Sequence, residues 1–500
     1  MDIQIGAVSR DISRFLLIPV GMALGSLPVC LLSQEWFALV PFVITVLSGG
    51  ALSFLLYRLG HKSHDASLPQ VFISVALGWA VVAIFGALPI WLTALSVGAE
   101  ATPTLAYFQN GLNALFEGFS GFTSAGLTMV IQPSRLPVSL QWWRSLMQWV
   151  GGVGVIVLAL ALMEPTQSQY VLYQAEGRQT RIRLTIGRTV RRIWIIYTGY
   201  TVASVILFRI FGMTWWEALN HSMTAISTGG FSVTDGSMGA YSSAIKVTII
   251  LVMILGAISF NMHNQLLVRR QLLALWRDQQ HFLLIVLLIV GSMLVAIEHY
   301  LTVGQFAWVD TVFQWVSALT TCGFSSQSIQ FWSSGNKILL SIAMILGGAA
   351  GSTVGGLKLE RVLALFESVV WRLRRISLSP RQMTLRHING PPMKPEQASR
   401  QIEDATALTL LWIGCIVISV LVLLRLVPTE YSLSDVIFES ASALGAAGLS
   451  VGITGPTQHW LGKCVLIFLM WMGRLEIIPV LVLLYAPWGY LLDSRRSWFG

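Results

Sequence analysis

Four short stretches of the chain repeat one order of residue types. They are Thr123-Ser-Ala-Gly-Leu-Thr128, Ser227-Thr-Gly-Gly-Phe-Ser232, Thr320-Thr-Cys-Gly-Phe-Ser325 and Gly445-Ala-Ala-Gly-Leu-Ser450. Each finishes as glycine, then Leu or Phe, then Ser or Thr. The chemistry such stretches offer is that of the backbone. Glycine permits the strained angles that aim carbonyls inward, and a ring of carbonyl oxygens can replace the hydration shell of a potassium ion. The residues that would supply the ring are Ser124, Ala125 and Gly126; Thr228, Gly229 and Gly230; Thr321, Cys322 and Gly323; and Ala446, Ala447 and Gly448. The strands are not identical, and three of the four have a single glycine near the centre. The ring is therefore expected to hold fewer well-formed sites than a symmetric one, to separate potassium from sodium less sharply, and to pass rubidium.

Each stretch closes a segment of about 12–16 residues, too short to cross a bilayer and lying between longer apolar runs. In three segments the glycine follows an equivalent phenylalanine (Phe116, Phe313, Phe438) by ten residues; the other has Asn220 there. Irregular backbone at membrane depth survives only where it is buried in protein or lines a wet cavity. Four half-helices that enter the membrane and turn back would meet both conditions around one axis. Their C-terminal ends would present partial negative charge to the cavity, favouring a cation. Ordinary small-residue helix packing is the plainer alternative, but it does not require a glycine and a hydroxyl at matched offsets in four places.

The surrounding elements are membrane spans. Of the 500 residues, 55% are hydrophobic and 11% charged, and the mean hydropathy is +0.70. A soluble domain carries about 25% charged residues, so the bilayer must be the main solvent. Ten stretches approach the roughly 20 apolar residues a spanning helix needs: 15–33, 36–57, 71–97, 140–163, 189–211, 243–268, 281–302, 336–357, 405–427 and 461–485. The first is read as a retained span, because a second span follows at once and no convincing cleavage site is present. The net charge of +9 is a topology signal. With the N-terminus inside, the inner segments hold 24 of the 32 basic residues, from Arg10 and Arg14 to Arg495 and Arg496, whereas the outer ones hold scattered cases such as Arg135 and Lys337. This positive-inside bias places both termini in the cytoplasm and removes any need for a nucleic-acid partner. Cys30, Cys322, Cys415 and Cys464 show no metal or disulfide spacing.

With these residues in hand, the chain resembles the Trk/Ktr/HKT superfamily of potassium transporters, most like the bacterial TrkH-type membrane subunit. Three further stretches carry the resemblance: Trp142 to Gly154, Gly347 to Lys358, and Gly473-Arg474-Leu475-Glu476. The resemblance implies an all-α membrane protein of four span–pore helix–span repeats around a central pore, with two extra N-terminal spans. On that plan residues 1–65 hold the extra spans, 66–175 the first repeat, 176–278 the second, 279–375 the third with an intramembrane gating loop, 376–403 a cytoplasmic linker and 404–500 the fourth.

The gate residues are expected to be Gly347, Gly348, Gly351, Ser352, Thr353, Gly355, Gly356, Lys358 and Arg474. Residues 347–356 hold five glycines and two alanines, each glycine costing a helix about 1 kcal/mol relative to alanine. The span should break there into a loop. Close helix packing through small residues is the alternative, and Val354, where relatives often have glycine, is expected to stiffen the loop. Arg474 lies within an apolar run, where a charge is costly and faces the interior or a cavity. It reads as a fixed positive charge below the ring, bonded to loop carbonyls when closed, or as the partner of Glu117, Glu439 or Glu476. Glu217, Asp310 and Asp435 read as helix-start charges; Glu117 and Glu439, at equivalent positions, read as supports behind the strands.

The resemblance further implies K+ as the transported ion with no organic cofactor, a homodimer among membrane lipid, and a separate cytoplasmic nucleotide-binding regulatory subunit of the TrkA kind, in the inner (plasma) membrane of a bacterium. Loop 358–404 is basic and has no phosphate-binding glycine pattern of its own. Three other functions fit less well. A secondary transporter of another small solute would show inverted repeats; an enzyme would need convergent acids, bases or nucleophiles; a voltage sensor would need regularly spaced arginines on one span.

Overall fold

The computed structural model describes residues 5–61, 63, 67–154, 186–377, 386–387, 392–393 and 395–486. Among these the fold is almost wholly helical, the exception being a two-residue hairpin that pairs Arg386–His387 with Pro392–Met393. Among the described residues, six helices are long and apolar enough to cross a membrane: Ile5–Leu32, Trp36–Gly60, Pro69–Glu100, Gly187–Ile210, Gln279–Val303 and Glu396–Leu426. At 1.5 Å per residue, 24 residues or more exceed the ~30 Å of hydrocarbon they must span. Their outward faces carry Leu47, Leu294, Ile418 and Leu421, all exposed, whereas Glu117, Arg144, Gln314 and Glu439 lie inside. This inversion of the soluble pattern is what hydrocarbon solvent demands.

Four short helices sit within this frame: Gly111–Thr123, Trp215–Ile226, Trp308–Leu319 and Leu433–Leu444. We call them the first to fourth pore helices. The starts of the first, second and fourth are fixed locally. Asn110 accepts from Leu112 N, Thr214 and Glu217 form a reciprocal cap, and so do Ser432 and Asp435. Such caps satisfy orphan N–H groups that hydrocarbon would leave bare. Each pore helix is followed by a second helix: Val138–Val153, Ser243–Ala257, Ser334–Leu346 and Trp460–Arg474.

These second helices differ from the sequence expectation. Stretches 243–268 and 461–485 read as continuous spans, but they bend by 106° after Ala257 and by 114° after Arg474. Stretch 140–163 forms a helix that closes at Gly154 (φ 100°); residues 155–163 lie outside the described residues, as do the basic positions Lys62, Arg178, Arg181, Arg183, Arg381, Lys394, Arg495 and Arg496. The break at 347 is the one the glycines announce. At Ala257 the helix gives way because the glycine loop takes its hydrogen bonds: Ala349 N–H donates to Ala257 O, Thr353 N–H to Gly256 O, and Phe260 N–H to Gly351 O. After Arg474 the cause is left-handed backbone at Glu476 (φ 57°) and Ile477 (φ 71°), a conformation rare for a β-branched residue.

Glycine sets the depth at which the first pore helix seats. A Cβ on Gly118 would lie 2.3 Å from Ala83 O in the helix Leu68–Val97. Gly118→Ala is expected to lower stability by about 1–3 kcal/mol through overpacking. Gly199→Ala, on a helix face with nothing within 4 Å, is expected to match or exceed the parent, since alanine favours helix by up to about 1 kcal/mol. Thermal unfolding of both variants in detergent checks the pair.

Candidate ion-coordinating ring and glycine loop

The four glycines meet. A Cβ on Gly126 would lie 2.3 Å from Gly229 O; on Gly230, 2.2 Å from Cys322 O; on Gly323, 2.2 Å from Ala447 O; and on Gly448, 2.5 Å from Ala125 O. Each strand thus approaches the next in sequence order, and the fourth returns to the first. The backbone repeats as well. Ser124, Thr228, Thr321 and Ala446 have φ of 55°, 51°, 46° and 52°, and Gly126, Gly230, Gly323 and Gly448 have φ of 80°, 76°, 87° and 85°. The residue between each pair lacks positive φ. Alternating signs of φ turn successive carbonyls to one side of a strand, where a regular strand sends them to opposite sides. The pore helices end at residues 123, 226, 319 and 444, so their partially negative C-termini abut this ring.

Side chains tie each part of the ring to the next. Lys246 Nζ lies 2.8 Å from Asp310 Oδ1, Lys337 Nζ lies 2.6 Å from Asp435 Oδ1, and Lys463 Nζ donates to Asn113 Oδ1 at 2.6 Å. Asn113, Asp310 and Asp435 each stand thirteen residues before a ring glycine. The first seam is built differently. Gln141, Arg144 and Gln148 share one face of Val138–Val153 at helical spacing. Gln141 accepts from Trp216 Nε1 at 2.7 Å; Gln148 donates to Gly229 O at 2.6 Å and accepts from Phe231 N–H at 2.9 Å. Arg144 Nε pairs with Glu117 at 2.7 Å, Nη1 donates to Ser232 O at 3.3 Å, and the guanidinium sits 4.1 Å from the centre of the Phe231 ring. Arg144, Gln148 and the three lysines had no assigned role from the sequence; the lysines share one signal, each being the fourth residue of its second helix. Glu117 and Glu439 do lie behind their strands, both fully buried. Asp310 and Asp435 are more than helix-start charges, because each also holds a lysine.

The glycine loop runs directly beneath. Thr353 Oγ1 donates to Ile226 O at 3.2 Å and to Gly256 O at 3.0 Å, and lies 3.3 Å from Thr228 Oγ1. Gly355 N–H donates to Thr321 Oγ1 at 2.8 Å, and a Cβ on Gly355 would overlap Gly445 O. Gly347 (φ 68°), Gly351 (φ 78°) and Gly356 (φ 75°) make its turns, and Lys358 (φ 69°) closes it by donating to Val354 O. Val354 is buried against Gly348, where a Cβ would come within 3.0 Å of it. Ser352 Oγ donates back to Ala349 O at 2.6 Å.

Arg474 reaches the loop from the far side. Its Nη1 donates to Thr353 O at 3.4 Å, and its Nη2 donates to Gly151 O and, at 3.2 Å, to Gly152 O. A small cavity is lined jointly by Gly351, Val354, Gly356, Lys358, Arg474 and Glu476. Of the carboxylates weighed for Arg474, Glu117 pairs with Arg144 and Glu476 with Arg361.

Long apolar helices around buried polar half-helices define a membrane transport protein. The chain belongs to the TrkH family of cation transport proteins, which matches residues 42–488. It is 30% identical to an uncharacterised cation transporter of Methanocaldococcus jannaschii over 96% of this chain and 94% of that one. It is 30% identical to the Trk system potassium uptake protein TrkH of Escherichia coli over 82% of this chain and 84% of that one. The crystal structure of the potassium transporter TrkH from Vibrio parahaemolyticus superposes with a TM-score of 0.79 at 27% identity, covering 95% of this chain and 98% of that one.

The Arg144–Glu117 pair, 2% and 0% exposed, gives a stability prediction. Arg144→Met leaves a buried carboxylate without its cation, expected to destabilise by about 3–5 kcal/mol. The double variant Glu117→Gln/Arg144→Met is expected to recover part of that loss. Thermal unfolding of the two single variants and the double variant measures the coupling.

Proposed function

We propose that this chain is the pore subunit of a potassium uptake system. K+ passes a filter of backbone carbonyls from residues 124–126, 228–230, 321–323 and 446–448, and the loop 347–358 with Arg474 gates it from below. The closed cycle of glycine–carbonyl contacts carries the reading. Each contact sets a carbonyl of one strand against the glycine of the next, so four carbonyl-bearing strands close on one another, and a ring of carbonyl oxygens suits a dehydrated K+. The converging helix C-termini add to the preference for a cation. The potassium uptake named for the Escherichia coli and Vibrio parahaemolyticus relatives agrees in cargo.

In this reading the loop is the closed gate. Thr353, Gly355 and Arg474 hold it across the path with side-chain and backbone hydrogen bonds, and Arg474 keeps a fixed positive charge where a cation would otherwise rest. The same reading has the chain act as a homodimer in a bacterial inner membrane, both termini cytoplasmic, with a TrkA-like nucleotide-binding subunit docked on the basic inner surface to open the gate. A secondary transporter of another solute is the weaker reading, since four like-oriented stretches replace the inverted pair it needs.

Rubidium-86 uptake into liposomes holding the purified chain, competed by potassium, sodium and choline, tests the proposal. Uptake is expected to be inhibited most by potassium. Gly230→Ser and Gly323→Ser are expected to raise the potassium concentration for half-maximal uptake about tenfold or more, because each puts a Cβ where a neighbouring carbonyl lies. Deleting Gly348 and Gly351 is expected to raise the basal rate. An uptake curve unchanged in both serine variants would overturn the filter assignment, and no uptake even from the loop-deleted chain would overturn the pore itself.

A further inference from the structure

One spacing recurs behind all four strands. The residue nine before each ring glycine is polar: Glu117, His221, Gln314 and Glu439. Each is fully buried. The residue two after each glycine is a hydroxyl: Thr128, Ser232, Ser325 and Ser450. In every case the two side chains meet. Thr128 Oγ1 donates to Glu117 Oε1 at 2.8 Å; His221 Nε2 lies 3.1 Å from Ser232 Oγ; Gln314 Nε2 donates to Ser325 Oγ at 2.9 Å; Ser450 Oγ donates to Glu439 Oε1 at 2.8 Å. Three of them also accept the next backbone N–H: Met129 to Glu117 at 2.9 Å, Val233 to His221 at 3.4 Å and Val451 to Glu439 at 3.1 Å. Gln314 instead donates a second time, to Gln327 O at 2.9 Å.

The geometry matters because of what lies between the two ends. The pore helix supplies one end of each bond and the backbone leaving the ring supplies the other. The intervening residues are the strand with left-handed backbone at two positions, a conformation that persists only when its surroundings over-determine it. Each bond closes a loop across the strand and fixes how far its carbonyls stand from the axis. Chemical identity varies among carboxylate, imidazole and amide, while the position and the bond are kept.

We infer that Glu117, His221, Gln314 and Glu439 are positioning residues for the ring, and that each sets the discrimination between potassium and sodium by pinning its strand to its pore helix. The inference rests on the carbonyl-filter reading above. It assigns the same task to four chemically different side chains, so exchanging them between strands should preserve the task, and removing their polar atoms should not. None touches the ion; each acts through the strand it holds. A looser strand lets the ring contract around the smaller sodium ion, so the loss falls on selectivity before it falls on maximal rate.

The test uses the full chain in liposomes and reads the ratio of sodium to potassium inhibition constants for rubidium-86 uptake, alongside the maximal rate. His221→Phe and Gln314→Met are expected to lower that ratio about fivefold, the scale of one net hydrogen bond, with a smaller change in maximal rate. His221→Gln, which borrows the side chain of the third strand, is expected to recover most of the ratio. Ser325→Ala removes the other end of the bond by deleting one oxygen and is expected to reproduce Gln314→Met; the double variant should go no further than the larger single one. Ser232→Ala serves in the same way if His221→Phe does not fold. An unchanged ratio in Ser325→Ala and Ser232→Ala, or additive losses in the Gln314/Ser325 pair, would overturn the inference. Gly323→Ser run beside them separates the two levels: a shift there with none in the hydroxyl variants leaves the filter standing and removes the braces, and no shift anywhere removes both.

Discussion

Any Cβ on the four ring glycines would stand 2.2–2.5 Å from a neighbouring carbonyl oxygen, and much of the surrounding structure follows from that approach. Backbone can come so close only where no side chain intervenes, and at these four glycines φ is positive as well. Backbone in that state cannot sit in a helix, and hydrocarbon does not tolerate it unsupported. It must therefore be enclosed. The pore helices pack beside it, with the second helices and the long apolar helices around them. Buried charges that would be costly in a bilayer are tolerated where they pair across a seam, as Lys246 does with Asp310 and Lys337 with Asp435.

The same constraint links the ring to the loop beneath it. Thr228 and Thr321 each stand two residues before a ring glycine, in left-handed backbone. Their hydroxyls face the loop, one beside Thr353 Oγ1 and the other accepting from Gly355 N–H. The break at Ala257 is filled by loop backbone as well. Loop, second and third strands, and the bent second helix therefore share one hydrogen-bond network, and the loop cannot leave without exposing partners in the other three. In a low-dielectric interior such exposure is expensive, so displacing the loop would cost free energy unless substitute partners such as water replaced those it leaves.

Much of this was legible in the residues because glycine and hydrophobicity are read by simple rules. The ring glycines, their hydroxyl neighbours, the loop and Arg474 all stood out as departures from an apolar background, and the structure brings them together. The breaks after Ala257 and Arg474 did not stand out. Ile258 and Ile477 are good membrane-helix residues, and what ends those helices is competition for hydrogen bonds from a segment some ninety residues away in the first case, and left-handed backbone at Glu476 and Ile477 in the second. The cross-seam partners were hidden for a related reason. Lys463 and Asn113 are separated by 350 positions, and nothing local to either names the other. His221 is not marked by residue type, because its equivalence to Gln314 and the two glutamates is one of position.

A single chain that supplies all four strands is free to make them unequal, and the second strand shows how. It alone has glycine in the position before the ring glycine. The reason is Gln148, whose amide would lie 2.5 Å from a Cβ on Gly229. The orientation of that amide follows from its partners: Phe231 N–H can only donate, so Oε1 faces it and Nε2 is left to donate to Gly229 O. Gly229 O is also the oxygen that abuts Gly126. One ring carbonyl therefore already holds a hydrogen bond from within the protein, and among the described residues no side-chain donor engages Ala125, Cys322 or Ala447 O. An oxygen so engaged has less of its charge left for any further partner than the other three. Four identical subunits could not adopt this arrangement without repeating it on every side.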